Sequence, residues 1–440
     1  MTSVNVKIIH RLKSFLKRVN SNETLVHQFS SSDADFTRIR KLPFDKLVLM
    51  IARLNKKTLG IELANYFSEI NEPSPCSVSA FCQRRSKLLP SFFHSWNMVL
   101  HLSYYLYCKN SVKRWRKYRL IASDGSGVSL VKTKSLEGYF GGQSNQTGSF
   151  VQGKTFFCYD VLNGMIIHSG LYPYRYGEHN MAYDAVELYE DDMLIIYDRN
   201  FCSYKMVALH LLREKEIKFI IRAQETQLHV KKFIASGATS SETWLEPGPA
   251  AIKGMKKSGF IITKNNLIKI RLVRVELTDK VEVLMTNLWE DEGHKTSDFK
   301  DLYNMRWGIE TNIGFQKNIM QLESFSGLTA ISVLQDFYAS VFIANLYAVL
   351  KKEAQQIISR TTAHRKYPMQ INNNKAFGKM KSYIIPLFIG GRIRQLIEQL
   401  NEYFIRDPLP IRAGRSFKRE RKNRQSNSKF RTFTNFKPAY

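Results

Sequence analysis

Two short apolar runs that each end on an acid most constrain this chain. They are YRLIASD (118–124) and MLIIYD (193–198). Short apolar runs of this kind read as strands buried on both faces, the kind found in α/β sheets. FVQGKTFFCYDVLNGMIIHSGLYPY (150–174) reads as two further strands joined at Asn163-Gly164, a dipeptide that favours hairpins. SYKMVALHLLREK then reads as a helix and IKFIIRA (217–223) as another strand. Three consecutive strands followed by strand–helix–strand predict an α/β core. Sites in such sheets form at the carboxyl ends of strands. If the two runs are parallel neighbours, Asp124 and Asp198 emerge on the same edge. Each also has an ordinary use, Asp124 as a turn former before Gly125 and Asp198 as a cap on the next helix.

The flanking segments differ in pattern. Residues 1–112 read as helical, with FDKLVLMIARLNKKTLGIELANYF carrying apolar residues at mixed three- and four-residue spacing. SPCSVSAFCQRRSKL opens on Ser and Pro as a helix start does, and is expected to expose Gln83, Arg84, Arg85 and Lys87. Small basic helices are a common way into a DNA groove; a helical domain with a solvated basic face is the plainer alternative. Between 224 and 289, QLHVKKF, LIKIRLVRVEL and KVEVLMTNL alternate like half-exposed strands, with turns at Lys264-Asn265-Asn266 and Thr278-Asp279-Lys280. Helices return from about 297 to 355 and at 391–405. The expected organisation is a helical DNA-binding domain (1–112), a catalytic domain (113–223 and 290–400), a β-rich insertion (224–289) and a basic tail (401–440).

Charge narrows the partner. The chain has 66 Lys+Arg against 38 Asp+Glu, a net +28, which concentrates polyanions at its surface. Nucleic acid fits best. A membrane is disfavoured, because no basic amphipathic helix flanked by anchoring aromatics is apparent and no run reaches 18 apolar residues. The longest candidate, ASVFIANLYAVL (339–350), is short and holds Asn345. The basic N-terminus lacks a continuous apolar stretch, and Cys76, Cys82, Cys108, Cys158 and Cys202 are odd in number with no CxxC pair. A reduced, cytoplasmic protein is expected. Residues 406–440 hold 11 Lys+Arg against Asp407 and Glu420, interleaved with Phe417, Phe430, Phe433, Phe436 and Tyr440, a composition suited to phosphates and bases.

A third element gives the two aspartates a context. In LYNMRWGIETNIGFQKNI (302–319), Tyr303, Arg306, Glu310 and Lys317 fall at roughly 0°, 300°, 340° and 320° around a continuous helix. One face then carries a carboxylate between two cations and a phenol, with Trp307 and Ile313 free to pack elsewhere. A surface stripe with an Arg306–Glu310 pair is the plainer reading. Three carboxylates with two cations suit phosphodiester chemistry: hard divalent ions want oxygen ligands, and Arg and Lys hold the non-reacting phosphates. A glycosidase carboxylate pair is the rival, but it leaves the cations and the net charge without a use.

The spacing Y-x2-R-x3-E-x6-K at Tyr303, Arg306, Glu310 and Lys317 resembles the YREK signature of bacterial insertion-sequence DDE transposases. YDRNF (197–201) is similar to their second-aspartate motif, with Asn200 where glycine is common, and SDGSGV (123–128) to the first. The resemblance covers about 113–345, and more loosely the N-terminal helices and GRSFKR (414–419). It implies an RNase H-like core with a β-strand insertion, and Asp124, Asp198 and Glu310 holding Mg²⁺ or Mn²⁺, two ions in all. It implies Tyr303, Arg306 and Lys317 on DNA phosphates, and cut-and-paste movement through a DNA hairpin with a flipped base stacked on an aromatic of the insertion. Trp289 and Trp244 are the candidates for that stack, although a core position is the commoner fate of tryptophan. The implied partners are double-stranded DNA, as terminal inverted repeats and target, and a second copy of the chain in the synaptic complex. A nuclease or resolvase on the same fold is the alternative, and a DNA-binding protein with a decayed site is a third reading. Glu178 and His179 precede the second strand motif and could approach the metals, but they read as structural.

Overall fold

The computed structural model describes residues 2–412 apart from 39, 73, 146, 147, 278 and 279. The turn expected at 278–280 therefore falls partly, and the aromatic-basic tail from 413 onward wholly, outside the described residues. The chain divides into two compact units. One comprises residues 113–127 and 154–313, the other residues 1–112, 128–153 and 314–440.

The sheet is built from β1 (Arg119–Leu130), β2 (Gly142–Asn145), β3 (Gly148–Asp160), β4 (Met165–Pro173), β5 (Met193–Tyr197), β6 (Lys218–Arg222), β7 (Ser240–Leu245), β8 (Ile268–Glu276) and β9 (Val281–Thr286). Its order is β2-β3-β1-β5-β6-β9-β8-β7, with β4 paired to β3. β1, β5 and β6 run parallel, with Ser123 opposite Tyr197 and Tyr197 opposite Ile221. Three consecutive strands followed by two parallel to the first give the β4-β3-β1-β5-β6 order of an RNase H-like core. Of the strands expected between 224 and 289, LIKIRLVRVEL and KVEVLMTNL form β8 and β9, while β7 was not expected; together the three extend this sheet antiparallel from β6.

Alternation along the strands assigns the two faces of the first unit. Ile121, Ile195, Tyr197, Phe219 and Ile221 pack on one face in a core that includes Met181, Ala182 and Ala185 of the helix Glu178–Val186, and Met206 and Val207 of the helix Tyr204–Leu211. Leu120, Leu194, Ile196 and Ile220 pack on the other face with Phe299, Leu302 and Tyr303. Asp124 and Asp198 continue this second set, on the face of Tyr303.

Several expectations are corrected here. QLHVKKF is not a strand: the helix Leu228–Ala235 forms because Val230 and Phe233, three apart, are the buried pair. The 302–319 helix is broken into Phe299–Asn304, Trp307–Gly314 and a wider turn at Phe315–Ile319. The break is a tight turn in which Met305 and Arg306 donate their N–H groups to carbonyls three residues back, Leu302 and Tyr303. The β3–β4 connection is a four-residue loop, not a two-residue turn. Gly164 adopts φ +71° there, and the Asn163 side chain donates to both Asp160 carboxylate oxygens.

In the second unit, the helix Ala330–Thr361 is long and apolar enough to cross a membrane by length and composition, yet 83% of its most apolar window is buried inside the protein. Asn345, on this helix, accepts no lipid-like environment; its amide donates to Asn97 at 2.9 Å. Trp96 stacks on Phe342 with centroids 4.0 Å apart. Arg85, expected on the exposed face, is buried. It donates to Gln335, Ser326 and the Ser332 carbonyl, and pairs with Asp336 at 2.6 Å. A buried charge needs such partners, and residues far along the chain supply them. Gln83 stays exposed. Arg84 is half-buried, donating to the Leu42 carbonyl with its guanidinium 4.1 Å above Phe36.

Candidate functional site

β1 does not stop at Asp124. It runs on through Gly125-Ser126-Gly127 to Leu130, whereas its parallel neighbour β5 ends at Tyr197. Ser123 and Tyr197 are the last paired positions, so Asp124 and Asp198 follow side by side on adjacent strands. Gly125 is needed for space: a Cβ there would lie 3.3 Å from the Thr155 carbonyl oxygen and 3.3 Å from Glu178 Cγ. Asp198 occupies the cap position of the short turn Arg199–Phe201 but makes no side-chain cap hydrogen bond. Its carboxylate is therefore not spent on capping, and among the described residues it has no hydrogen-bond or ion-pair partner.

Electrostatics place the third acid with these two. Burial, aided by the charges of Asp198 and Glu310 and opposed by the Gly125 N–H and Arg306, pushes the Asp124 carboxyl up to about 6. Asp198, Glu310 and Arg306 thus all lie within electrostatic reach of Asp124, and Asp198 and Glu310 within reach of Arg306. Asp124 accepts from the Gly125 N–H at 2.8 Å.

Glu310 is engaged elsewhere. Its Oε1 lies 2.9 Å from Arg306 Nη2, and Arg306 is buried while Glu310 is about one-third exposed. Among the described residues no three acid, His or Cys side chains close on one point that would hold a metal ion. Of the expected Asp124–Asp198–Glu310 set, Asp198 and Glu310 lie within electrostatic reach of Asp124, but the three are not closed as a cage, and Glu310 is paired with Arg306.

Among the described residues, two donors beside these acids have no partner. The Tyr303 hydroxyl and Arg306 Nε are buried without a hydrogen bond. Orphaned buried donors are costly, and an anionic oxygen is their natural complement. Arg306 also lies 5.8 Å over the Tyr303 ring and 5.0 Å over that of Trp307. Trp307, expected to pack, is 55% exposed. Lys317 lies in the turn Phe315–Ile319, within the second unit, 3.8 Å from Glu323. A cleft of about 560 Å³ opens beside Asp198, lined by Arg199, Asn200, Gln224 and Thr226 among others.

Neither candidate stacking residue is in the core. Trp244 is 59% exposed on β7, opposite Lys269 of β8. Trp289 is half-buried, with Lys269 Nζ 5.0 Å above its ring. Glu178, read as structural, closes on both aspartate motifs: it packs over Gly125, and its Oε2 accepts from Asn200 Nδ2 at 3.2 Å. Its place shortly before the second strand motif was the signal for it in the sequence.

Comparison with known proteins bears on this arrangement. Curated protein sequences give no match. Among solved structures the chain is similar to a piggyBac transposase in a synaptic complex with hairpin DNA, at 10% identity over 82% of this chain and 71% of that one, with a TM-score of 0.38. A family model described as the transposase DDE domain matches residues 115–346, just over half of the chain and a span that includes all three acids. The chain belongs to the DDE transposase-domain family.

Proposed function

We propose that the chain is a transposase that cleaves the ends of an insertion sequence and joins them to target DNA. The observation that carries this reading is the gathering of Asp198, Glu310 and Arg306 within electrostatic reach of Asp124, with Arg306 paired to Glu310. The donor set fits a hard divalent cation: Asp198 has an uncommitted carboxylate, and Asp124 is destabilised as an anion by burial first and by its acidic neighbours after that. Asp124, Asp198 and Glu310 would hold Mg²⁺ or Mn²⁺, as two ions, and the metal supplies Lewis-acid activation of the attacking and leaving oxygens.

The chain's own cations bind the substrate. Arg306 Nε and the Tyr303 hydroxyl, both without partners, converge on a backbone phosphate. A phosphate that takes the Arg306 fork bidentately displaces Glu310 from Nη2 and releases it toward the aspartates. DNA binding and completion of the acid set are then one event. Lys317 is a further phosphate contact. Trp244 and Trp289, on either side of Lys269, form the platform on which a flipped base stacks during a hairpin step. The terminal repeats and the target are double-stranded DNA, bound by a dimer, with the helical region 1–112 contributing to end recognition.

The test is an in vitro reaction of the full chain with a linear DNA carrying the sequences that flank its own gene, in Mg²⁺, with a supercoiled target plasmid. End cleavage with joined products is the expected outcome. Cleavage without joining assigns a nuclease or resolvase, and no cleavage of any flank removes the enzymatic reading.

A further inference from the structure

Beneath the two aspartates, on the opposite face of the sheet, lies a closed chain of buried hydroxyls. The residue before each aspartate takes part. Ser123 Oγ lies 2.9 Å from the Tyr189 hydroxyl, and Tyr197 donates its hydroxyl to that of Tyr189 at 3.4 Å. Cys158 Sγ of β3 lies 3.3 Å from the same oxygen, and His210 Nε2 lies 3.1 Å from the Tyr197 hydroxyl. All five residues are at most 3% exposed. The Tyr189 phenol thus joins β3, β1 and β5, three adjacent strands, at the level where Asp124 and Asp198 leave the other face.

Burial drives the His210 imidazole down to about 3, so it is neutral at any pH at which the fold is tested. Its Nε2 and the Tyr197 hydroxyl share one hydrogen bond whose direction follows the imidazole tautomer. Backbone pairing alone ends at Ser123 and Tyr197, the last register positions. Beyond them Asp124 and Asp198 carry like charges that push the strand ends apart.

We propose that Tyr189 is a positioning residue that sets the spacing of Asp124 and Asp198 by tying Ser123 to Tyr197 from the far face of the sheet. It touches neither substrate nor metal and acts only through the strand ends. Removing its oxygen leaves three buried polar groups short of a partner and lets the strand ends separate. This inference rests on the metal-binding reading of the acids, so its test measures binding of a metal directly.

The probe is Mn²⁺, followed by the loss of its free electron paramagnetic resonance signal on titration into the full chain at pH 8. Wild type, Asp124→Asn, Tyr189→Phe and Tyr66→Phe are compared. Tyr66 is an equally buried phenol in the other unit, donating to the Lys46 carbonyl at 2.8 Å, and controls for loss of a structural hydroxyl. Tyr189→Phe is expected to bind Mn²⁺ ~10-fold more weakly, as for partners that orient metal ligands. Tyr66→Phe should bind as wild type does, even where its melting temperature falls as far. Wild-type affinity in Tyr189→Phe, with binding lost in Asp124→Asn, overturns the positioning role and spares the metal reading. Equal binding by wild type and Asp124→Asn overturns both.

Discussion

Arg306 holds Glu310 at 2.9 Å, and this pair decides whether the third acid is available. The pair spans one helical turn, but not an intact helix: Arg306 sits in the tight turn before Trp307–Gly314. Its Nε is left without a partner, so the guanidinium holds one anion and has room for a second. In the proposed reaction a DNA phosphate would compete for the fork, and Glu310 would be freed when the phosphate wins.

Arg306→Ala therefore has two expected effects. Cleavage falls by at least ~10²-fold, the usual loss on removing one charged group that stabilises the transition state. Thermal stability falls modestly, by about 1–2 kcal/mol, because Glu310 is partly solvated and the pair is weaker than a fully buried one. Single-turnover cleavage and melting temperature measured together check both. A variant that melts earlier but cuts normally makes the pair purely structural.

The Asp124 carboxyl, raised to about 6, makes stability depend on pH in a defined sense. Its protonated form is favoured in the folded state, so this contribution is present below the ordinary carboxylate range and is lost as pH rises through about 6. Asp124→Asn, a neutral isostere, should raise the stability of the metal-free protein at pH 8 by about 1–2 kcal/mol, and the difference should close below about pH 4. Thermal melts in chelator across that range read it out. A destabilised Asp124→Asn at pH 8 would mean the carboxylate is held by partners rather than by repulsion.

Lys317 faces Glu323 at 3.8 Å, with both side chains about a quarter to a third exposed. Such a pair is worth about 0–1 kcal/mol. Lys317→Ala should leave the melting temperature nearly unchanged and reduce cleavage at limiting DNA. If it melts like a core truncation, its role is structural and it is not a phosphate contact.

A chain ending at Arg412 lacks nine of the 66 Lys and Arg residues. Its log affinity for DNA should fall less steeply with log salt, since each lost phosphate contact removes about 0.9 from the slope on duplex DNA. An unchanged slope over 50–300 mM salt, a range chosen around that of about 50–200 mM where such losses are large, removes the tail from the interface.

Much of the catalytic core was legible in sequence because it rests on local signals. Apolar runs closed by Asp124 and Asp198 gave buried strands, whereas the continuous helix assumed for Tyr303, Arg306, Glu310 and Lys317 breaks into three pieces. What was not legible depends on partners distant in the chain. Arg85 looks like a surface cation until Asp336 and Gln335 are brought to it. QLHVKKF alternates like a strand, but the buried pair Val230 and Phe233 holds it as a helix. Tyr189 has no motif around it, and Glu178 reaches Gly125 and Asn200 only through the fold. Trp244 and Trp307 read as core by type, yet both are more than half exposed.

The central claim is that Asp198, unpartnered at the end of β5, serves chemistry rather than the fold. Cleavage of gene-flanking DNA in Mg²⁺ by wild type and Asp198→Asn, with gel-shift affinity measured on the same preparations, tests it most directly. The account predicts cleavage reduced at least ~10²-fold with DNA affinity and melting temperature retained. Asp198→Asn cutting at the wild-type rate would contradict it.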